Sequence, residues 1–315
     1  MQLPLQLVFC GTPAFAVPTL ERLAKAYLNL RLVVTRPDKP RGRGMELAIS
    51  PVKQAALSLG LPVVQPDTIK NNADFRAQLE VLRPDAIIVV GYGRIIPQWM
   101  IDLPPLGNIN LHSSLLPKYR GAAPVQWAIA CGETVTGVTT MRIDAGLDTG
   151  DILRQRELVI APEDTTPTLS PKLAGIGADL MLETLLGLQE KKIVPQTQDH
   201  ARATLAPILR REDGQIDFHR PAAEILNRLR GFQPWPGAYT TFRGKQLVVS
   251  AARLADSAPS APLGSLLLDS NRLLAVCSES ILELLEVQPE GKKRMSARDF
   301  LNGYRPQPGE KLGVA

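Results

Sequence analysis

The chain has 315 residues, of which 44% are hydrophobic and 21% charged, and its formal net charge is +5. This length predicts two domains with ample interior for a hydrophobic core, and the mild positive charge is compatible with a polyanionic partner. Three scattered cysteines exclude a disulfide framework and favour a reducing compartment. No stretch approaches the roughly 20 apolar residues of a membrane span, and no secretory signal is visible, so we expect a monomeric cytoplasmic protein that binds no membrane.

The first half of the chain alternates strand-like and helix-like segments. Residues 86–90, AIIVV, are apolar at every position, as in a strand that is buried on both faces. The alternation predicts an α/β domain with a parallel sheet that is covered by helices on both faces. The predicted helices begin after Pro13, at Pro51, at Ala73 and at Ala123, and the predicted strands lie at 5–10, 30–35, 62–65, 86–90, 108–112 and 137–143.

The second half of the chain has a different pattern of apolar and polar residues. Apolar residues at helical spacing fill the C-terminal half of 162–188, and the polar stretch that follows indicates a linker. Beyond it, short β-like runs at 246–251, 273–277 and 281–287 alternate with Gly and Pro, which predicts a small β-rich, barrel-like domain. The predicted organisation is an α/β domain, a linker and a β-rich domain, at 1–188, 189–207 and 208–315.

One histidine stands out by its position. Of the three in the chain, His112 ends a predicted strand of the sheet, where the ligand crevice of such sheets lies, whereas His200 and His219 lie in a polar stretch and a turn. Asn110 shares the face of His112, because strand side chains alternate. A lone histidine is usually structural, but an amide that can donate to a developing oxyanion, beside an imidazole that can donate or move a proton, suits acyl transfer.

An acidic partner is expected in the glycine-bracketed loop AGLDTGD, residues 145–151. The loop region offers Asp144, Asp148 and Asp151. Glycines two positions to each side of Asp148 allow unusual backbone angles and close approach to a ligand. The same composition also fits an ordinary polar turn, so the residues alone leave the choice of acid open.

Several common site motifs are absent from the sequence. There is no G-x-x-x-x-G-K-[ST] phosphate loop, and the first predicted strand is followed by GTPAF rather than by a full G-x-G-x-x-G. A G-x-S-x-G nucleophile elbow and an H-E-x-x-H zinc motif are also missing. The sequence disfavours P-loop, dinucleotide, serine-hydrolase and zinc-protease chemistry, and it predicts no metal.

A basic loop lies between residues 36 and 53. Its charged side chains give a local net charge of +3, and its glycines and prolines favour a loop over a helix. Such loops suit phosphate backbones, because each contact releases counterions, although a solvated surface loop has the same composition.

The segment NINLHSSLLPKYRGAAPVQWAI at 108–129, followed by GLDTGDIL at 146–153, resembles the signature of the folate-dependent formyltransferases. The resemblance implies a Rossmann-like parallel-sheet domain followed by a small OB-like barrel, with 10-formyltetrahydrofolate as the formyl donor. It implies that Asn110, His112 and Asp148 are catalytic. It also implies that the folate contacts Ser114, Leu115, Leu116 and Pro117.

Within that family, the sequence is most similar to the members that formylate methionyl initiator tRNA. The similarity runs from FCGTPAFA at 9–16 to RGFQPWPGAY at 230–239, and Ser113 in place of a more usual alanine is a minor departure. It implies an OB-like, tRNA-binding C-terminal domain. It also implies that the basic loop reaches the tRNA through Lys39, Arg41 and Arg43.

Two other functions remain open at this point. A formyltransferase of the same fold could act on a nucleotide-sugar amine, since the three catalytic residues do not identify the acceptor. The chain could also be an RNA-binding protein with the fold of an enzyme that has lost its activity, although the intact Asn110, His112 and Asp148 argue against it.

Overall fold

The computed structural model describes residues 4–26, 28–41, 46–255, 261–269 and 271–313, without the side chains of 39–41 and 46–47. The chain divides into two compact units. The first unit comprises Met1–Gly121, Val135–Val159 and Ser170–Ala206, and the second comprises Ala122–Thr134, Ile160–Leu169 and Pro207–Ala315. Residues 189–206, which the sequence predicts as a linker, therefore group with the first unit.

Nine strands lie in the described part of the first unit. They are β1 (Gln6–Gly11), β2 (Asn29–Val34), β3 (Lys39–Arg41), β4 (Glu46–Ala48), β5 (Val63–Val64), β6 (Ala86–Val90), β7 (Asn108–His112), β8 (Val135–Arg142) and β9 (Ile152–Val159). Seven of them form one sheet in the order β5-β2-β1-β6-β7-β8-β9, and β3 and β4 form a separate hairpin.

The predicted α/β fold is confirmed, with one correction to the direction of a strand. β5, β2, β1, β6 and β7 are parallel, but β8, which was expected to run parallel as well, pairs antiparallel with both β7 and β9. The helix that separates β7 from β8 has seven residues. This helix groups with the second unit rather than with the unit of the sheet, so the connection is not the β–α–β crossover that parallel pairing needs.

Eight α-helices lie along the described chain, and several begin where the sequence supplies a cap. They are α1 (Val17–Lys25), α2 (Pro51–Ser58), α3 (Ala73–Leu82), α4 (Gln98–Ile101), α5 (Pro124–Ala130), α6 (Thr166–Gln189), α7 (Ala222–Gly231) and α8 (Ala297–Tyr304). Ser50 accepts from the Lys53 amide at the start of α2, and Asn72 accepts from the Phe75 amide at the start of α3. None of the described helices combines the length and the apolar character needed to cross a bilayer.

The second unit contains an antiparallel sheet of six strands. They are β10 (Ala238–Phe242), β11 (Lys245–Ala255), β12 (Leu266–Asp269), β13 (Arg272–Val276), β14 (Ile281–Pro289) and β15 (Met295–Ser296). The order is β10-β11-β14-β13-β12, with β15 beside β14. Isolated bridges join Leu312 to Phe242 and Lys311 to Ser265. The C-terminal residues thus connect the two edges of the sheet, in keeping with the predicted barrel-like domain.

Close packing of α5 on α7 within this unit depends on a glycine. A Cβ atom at Gly231 would lie 2.6 Å from the Gln126 carbonyl and 2.9 Å from the Ala130 nitrogen. Next to it, the rings of Trp127 and Phe232 meet edge to face at 5.2 Å. A glycine is therefore needed at this position of the RGFQPWPGAY motif, because any larger side chain would clash with α5.

We expect Gly231→Ala to lower the free energy of unfolding by about 1–3 kcal/mol, because the added methyl group overpacks the contact between the two helices. Thermal or urea unfolding would measure the loss. Gly303→Ala in α8 is the matched control, since a Cβ there meets nothing within 4 Å. It should be neutral or stabilising by about 0.5–1 kcal/mol. Equal effects of the two substitutions would contradict the packing argument.

The carboxylate of Glu283 in β14 is buried between two arginines of neighbouring strands. Arg272 donates to Oε2 at 2.7 and 3.1 Å, and Arg253 donates to both oxygens at 2.9 and 3.2 Å. These hydrogen bonds lower the pKa of Glu283 from 4.5 to about 2. Because the folded-state pKa is depressed, the stabilisation is fully present above about pH 4.5 and is lost as the pH falls towards 2.

We therefore expect Glu283→Gln to lower the free energy of unfolding by about 1–3 kcal/mol at pH 7, since both arginines are partly exposed and screened by solvent. Unfolding curves between pH 7 and pH 2.5 should show a shallower acid dependence in the variant than in the wild type. Glu286→Gln on the same strand is the control, because Glu286 makes only an exposed contact with Arg294 at 3.7 Å. Parallel pH profiles for the wild type and Glu283→Gln would refute the assignment.

Candidate active site

The end of β7 carries the two polar side chains that the sequence singles out. Asn110 and His112 lie two residues apart on this strand, so their side chains point to the same face of the sheet. His112 is buried, whereas Asn110 is half-buried. Within the described ranges, the amide of Asn110 makes no hydrogen bond. The strand therefore presents an amide with free donors beside an imidazole.

Both ring nitrogens of His112 face oxygen atoms. Nε2 lies 2.9 Å from the carbonyl oxygen of Tyr119, to which a ring N–H can only donate. Nδ1 lies 3.6 Å from Oδ2 of Asp148, which is an ion-pair distance but too long for a hydrogen bond. Because a carbonyl holds the Nε2 proton, Nδ1 is the nitrogen that remains to exchange a proton.

Asp148 lies in the loop between β8 and β9. Its backbone has a φ of 52°, in the left-handed region that non-glycine residues adopt infrequently. The Gly121 amide donates a 2.8 Å hydrogen bond to Oδ2, the same oxygen that faces His112. The side chain is 18% exposed, which leaves it accessible to a ligand.

The three acids near this loop, among which the sequence does not choose, have different partners. Asp144 accepts hydrogen bonds from within its own loop, and Asp151 accepts one from Thr197 at 3.1 Å. Of the three, Asp148 is the one in contact with His112. The geometry thus brings together the acid and the imidazole that the family signature pairs.

The segment 114–117, SLLP, is hydrogen-bonded to the neighbouring strands β8 and β9. Thr139 on β8 donates to the Ser114 carbonyl at 2.7 Å and accepts from the Leu116 amide at 3.2 Å. Gln155 on β9 donates to the Leu116 carbonyl at 2.8 Å. The side chains of Ser114 and Leu116 are buried, and the other two side chains are half-buried. A folate contact at this segment stays a prediction.

The tip of the basic loop lies outside the described residues. Arg43 is not described, and neither are the side chains of Lys39 and Arg41, whose backbones form β3. The base of the loop is described, and there Asp38 pairs with Lys53. Hydrogen bonds from Lys53 and from a neighbouring glutamine amide lower the pKa of the Asp38 carboxyl below its usual value. This ion pair links the chain segments on either side of the β3–β4 hairpin.

Two buried polar side chains that the sequence analysis missed lie beside the Asp148 loop. Gln198 donates to the carbonyls of Asp148 and Gly150, at 2.9 and 2.7 Å. Arg120 in turn donates to Oε1 of Gln198 through two nitrogens. Arg120 lies inside the KYRG part of the family signature, which could have marked it. Gln198 lies in the polar stretch that was predicted as a linker and has no comparable sequence signal.

A groove of about 430 Å³ opens beside Ala145, at one end of the Asp148 loop. Its lining includes apolar side chains such as Ile96 and Pro97 together with the cationic Lys70 and Arg94. No sequence motif marks this groove. No group of three or more His, Cys, Asp or Glu side chains in the described part of the chain is placed to hold a metal ion.

Comparison with known proteins decides the family. A family model described as formyl transferase matches residues 5–185, and a second, described as formyl transferase, C-terminal domain, matches residues 208–305. The chain belongs to the formyltransferase family. The resemblance to the formyltransferases is thereby confirmed. Among formyltransferase relatives, the methionyl-tRNA formyltransferase of Koribacter versatilis (strain Ellin345) is 66% identical over 308 residues, which cover 98% of each chain.

Solved formyltransferase structures share the fold at much lower identity. A sugar 3N-formyl transferase, WlaRD, crystallised with dTDP and 5-N-formyl-THF, has a TM-score of 0.67 at 19% identity, over 93% of this chain and 100% of that one. The methionyl-tRNA formyltransferase of Clostridium thermocellum has a TM-score of 0.56 at 18% identity, over 80% and 95%. At such identities the similarity establishes the architecture, and the acceptor must be argued from other observations.

Proposed function

We propose that this protein transfers the formyl group of 10-formyltetrahydrofolate to the α-amino group of methionine carried by initiator tRNA, for translation initiation. The observation that carries the proposal is the 66% identity, over nearly the whole chain, to a relative named methionyl-tRNA formyltransferase. The contact between His112 and Asp148, with Asn110 on the same strand face as His112, supports the chemistry. We further propose that it acts as a monomer in the cytoplasm.

Formyl transfer to an amine places negative charge on the carbonyl oxygen and releases a proton from the attacking nitrogen. When bound, the folate supplies the formyl carbon and the leaving nitrogen. The amide of Asn110, which has free donors, is placed to donate to the developing oxyanion. Protonated His112 adds positive charge beside it. Asp148 faces Nδ1 of His112 and is placed to accept the proton that the amine loses, and this proton passes on to the leaving nitrogen of the folate.

The groove beside Ala145 fits the donor in size and chemistry. Its volume of about 430 Å³ lies within the usual range of small-molecule sites, roughly 300–1,000 Å³. Apolar side chains suit the flat ring system of a folate, and Lys70 and Arg94 suit the carboxylates of its glutamate tail. We propose that the donor lies here, with segment 114–117 providing further contacts close to His112.

The acceptor is proposed from the relatives and from the basic loop. Lys39, Arg41 and Arg43 supply positive charge for the phosphates of the tRNA acceptor end, and the second unit provides further surface for it. The alternative acceptor is a nucleotide-sugar amine. Similarity to a sugar formyl transferase at 19% identity supports the shared fold alone, whereas 66% identity to a methionyl-tRNA enzyme favours tRNA.

A direct assay distinguishes the candidate functions. The purified chain would be incubated with 10-formyltetrahydrofolate and, in parallel, with methionyl initiator tRNA, methionyl elongator tRNA or a dTDP-amino sugar, and the products analysed by mass spectrometry. We expect N-formylmethionine on the initiator tRNA. Formylation of the sugar alone would instead establish the nucleotide-sugar reaction. RNA binding without formyl transfer to any acceptor would establish that the protein is a non-catalytic RNA-binding protein.

We expect Arg43→Ala to lower kcat/KM for methionyl-tRNA about tenfold and to reduce its salt dependence. Loss of one phosphate contact reduces the slope of log kcat/KM against log salt concentration by about 0.9. Formyl transfer to a minimal amine acceptor should not change. Arg22→Ala is the control, because Arg22 forms an exposed ion pair with Asp179. An unchanged salt slope in Arg43→Ala would show that this arginine does not contact phosphate.

A further inference from the structure

Gln198 is a buried amide, 4% exposed, whose hydrogen-bonding capacity is fully used. Its Nε2 donates to the carbonyls of Asp148 and Gly150, at 2.9 and 2.7 Å. Its Oε1 accepts from Nη2 and Nε of Arg120, at 2.6 and 3.1 Å. Because both donors and both acceptor positions have partners, the amide is fixed in a single orientation.

Arg120 is also buried, at 7% exposure, and its guanidinium bonds to neutral atoms. Besides Gln198, it donates to Nδ1 of His200 from two nitrogens, each at 3.2 Å. Its backbone is fixed by hydrogen bonds with Thr204 at 2.8 Å and Ala206 at 2.7 Å. Burying a cation that bonds only to neutral atoms is costly, and apolar side chains usually fill such a space at lower cost. This arrangement therefore calls for a functional reason.

The two neighbours of this arginine each contact a proposed catalytic side chain. The Tyr119 carbonyl accepts from His112, and the Gly121 amide donates to the Asp148 carboxylate. Asp148 is thus held at two points, its carboxylate by Gly121 and its backbone carbonyl by Gln198. One short segment of chain, together with the side chain of Gln198, sets the relative placement of the imidazole and the acid.

We propose that Gln198 and Arg120 are positioning residues that hold Asp148 at its contact with His112. The inference rests on the role that the proposed function gives to Asp148. Its physical basis is the left-handed backbone at Asp148, a conformation that persists only where surrounding bonds maintain it. At a separation of 3.6 Å, a loop displacement of about 1 Å would be enough to weaken the ion pair and misplace the proton acceptor.

Gln198→Leu removes both hydrogen bonds to the loop while keeping a side chain of similar size. We expect kcat to fall about 10- to 100-fold, with the KM values for folate and tRNA changing less than about threefold, because neither substrate site includes Gln198. Gln198→Glu is a second variant, to be used if the leucine variant does not fold, because its carboxylate can still accept from Arg120. It should also lower kcat with little change in the KM values, since a carboxylate cannot donate to the two carbonyls.

Thr184→Val is the matched control for a purely structural effect. Thr184 is a buried side chain of the same unit, 0% exposed, and it also makes two buried hydrogen bonds, to the Leu180 carbonyl at 2.7 Å and to the Thr140 hydroxyl at 2.8 Å. We expect this variant to lose thermal stability to a similar extent as Gln198→Leu, with kcat within about threefold of the wild type. A structural role for Gln198 predicts that both variants behave alike.

Two further measurements test the link to Asp148. Amide hydrogen exchange should accelerate at Gly121 in Gln198→Leu but not in Thr184→Val, because that amide depends on the Asp148 carboxylate. In an Asp148→Asn background, Gln198→Leu should lower kcat less than about threefold further, since residues that act through one another are not additive.

The outcomes separate this inference from the proposed function. Wild-type activity of Asp148→Asn would remove the role of Asp148 and, with it, the proposed mechanism. The other outcome is a strong fall in kcat in Asp148→Asn and, when Gln198→Leu is added, a further fall as large as in the wild-type background. That outcome would leave the mechanism intact and overturn the positioning role. Unchanged kcat in the Gln198 variants, or unchanged exchange at Gly121, would also overturn it.

Discussion

Replacing Asn110 with alanine is expected to lower kcat by about 10²–10³-fold while leaving the affinity for folate largely intact. The reason is that the Asn110 amide stabilises charge that develops only in the transition state, and loss of one such donor costs this much in comparable sites. Asn110→Asp should be at least as inactive, since it keeps the shape of the side chain and replaces the donor with an acceptor. Steady-state kinetics with methionyl-tRNA, combined with equilibrium binding of a folate, would measure both effects.

Asn72→Ala is the control for nonspecific loss of an asparagine in the same unit. Its side chain caps α3 by accepting from the Phe75 amide at 2.9 Å, so its loss should cost about 1 kcal/mol of stability without changing kcat. Near-wild-type turnover in Asn110→Ala would refute the oxyanion role. A loss of folate affinity that matched the loss in rate would place Asn110 in ground-state binding instead.

Asp148→Asn is expected to lower kcat by about 10²–10⁴-fold, the range of a positioned proton-transfer group. The substitution is conservative in structure. An asparagine tolerates the left-handed backbone at this position, and its side-chain oxygen can still accept from the Gly121 amide. What is lost is the negative charge that faces Nδ1 of His112. Rapid-quench measurements of single turnovers would assign the loss to the chemical step.

Asp144→Asn offers a test of the choice among the local acids. Asp144 lies on the same loop region and bonds to Thr149 and Gly146, away from His112, so its substitution should change kcat less than about tenfold. A larger effect at Asp144 than at Asp148 would show that the wrong carboxylate has been assigned. Equal effects would indicate that the loop, rather than one acid, is sensitive to charge.

Local sequence patterns predicted the elements that carry the site. The apolar run at 86–90 is observed as β6, because a strand buried on both faces needs a continuous set of apolar positions, and the strand predicted at 108–112 is observed as β7. Strand alternation likewise placed Asn110 and His112 on one face. The family signature then selected Asp148, and the structure brings it to His112.

What the sequence could not supply depends on contacts between distant segments. The direction of β8 depends on how the segment before it leaves the sheet, since its helix groups with the second unit, so the strand pattern alone does not reveal the antiparallel pairing. Gln198 is a single amide in a polar stretch, and its importance appears only when residues 196–206 return to the Asp148 loop. Several elements, including β9, α7 and α8, were also missed, although α7 and α8 carry buried apolar residues at helical spacing that could have revealed them.

The segment 122–134 has a consequence for how the chain folds as it is synthesised. It begins within the first half of the catalytic signature, yet its helix α5 belongs to the second unit and packs on α7, which is translated much later. A nascent chain that has just completed α6 therefore still displays Trp127 without its aromatic partner. A break made between the two halves of the sequence would separate α5 from α7, so the two units cannot be obtained as independent fragments by a single cut.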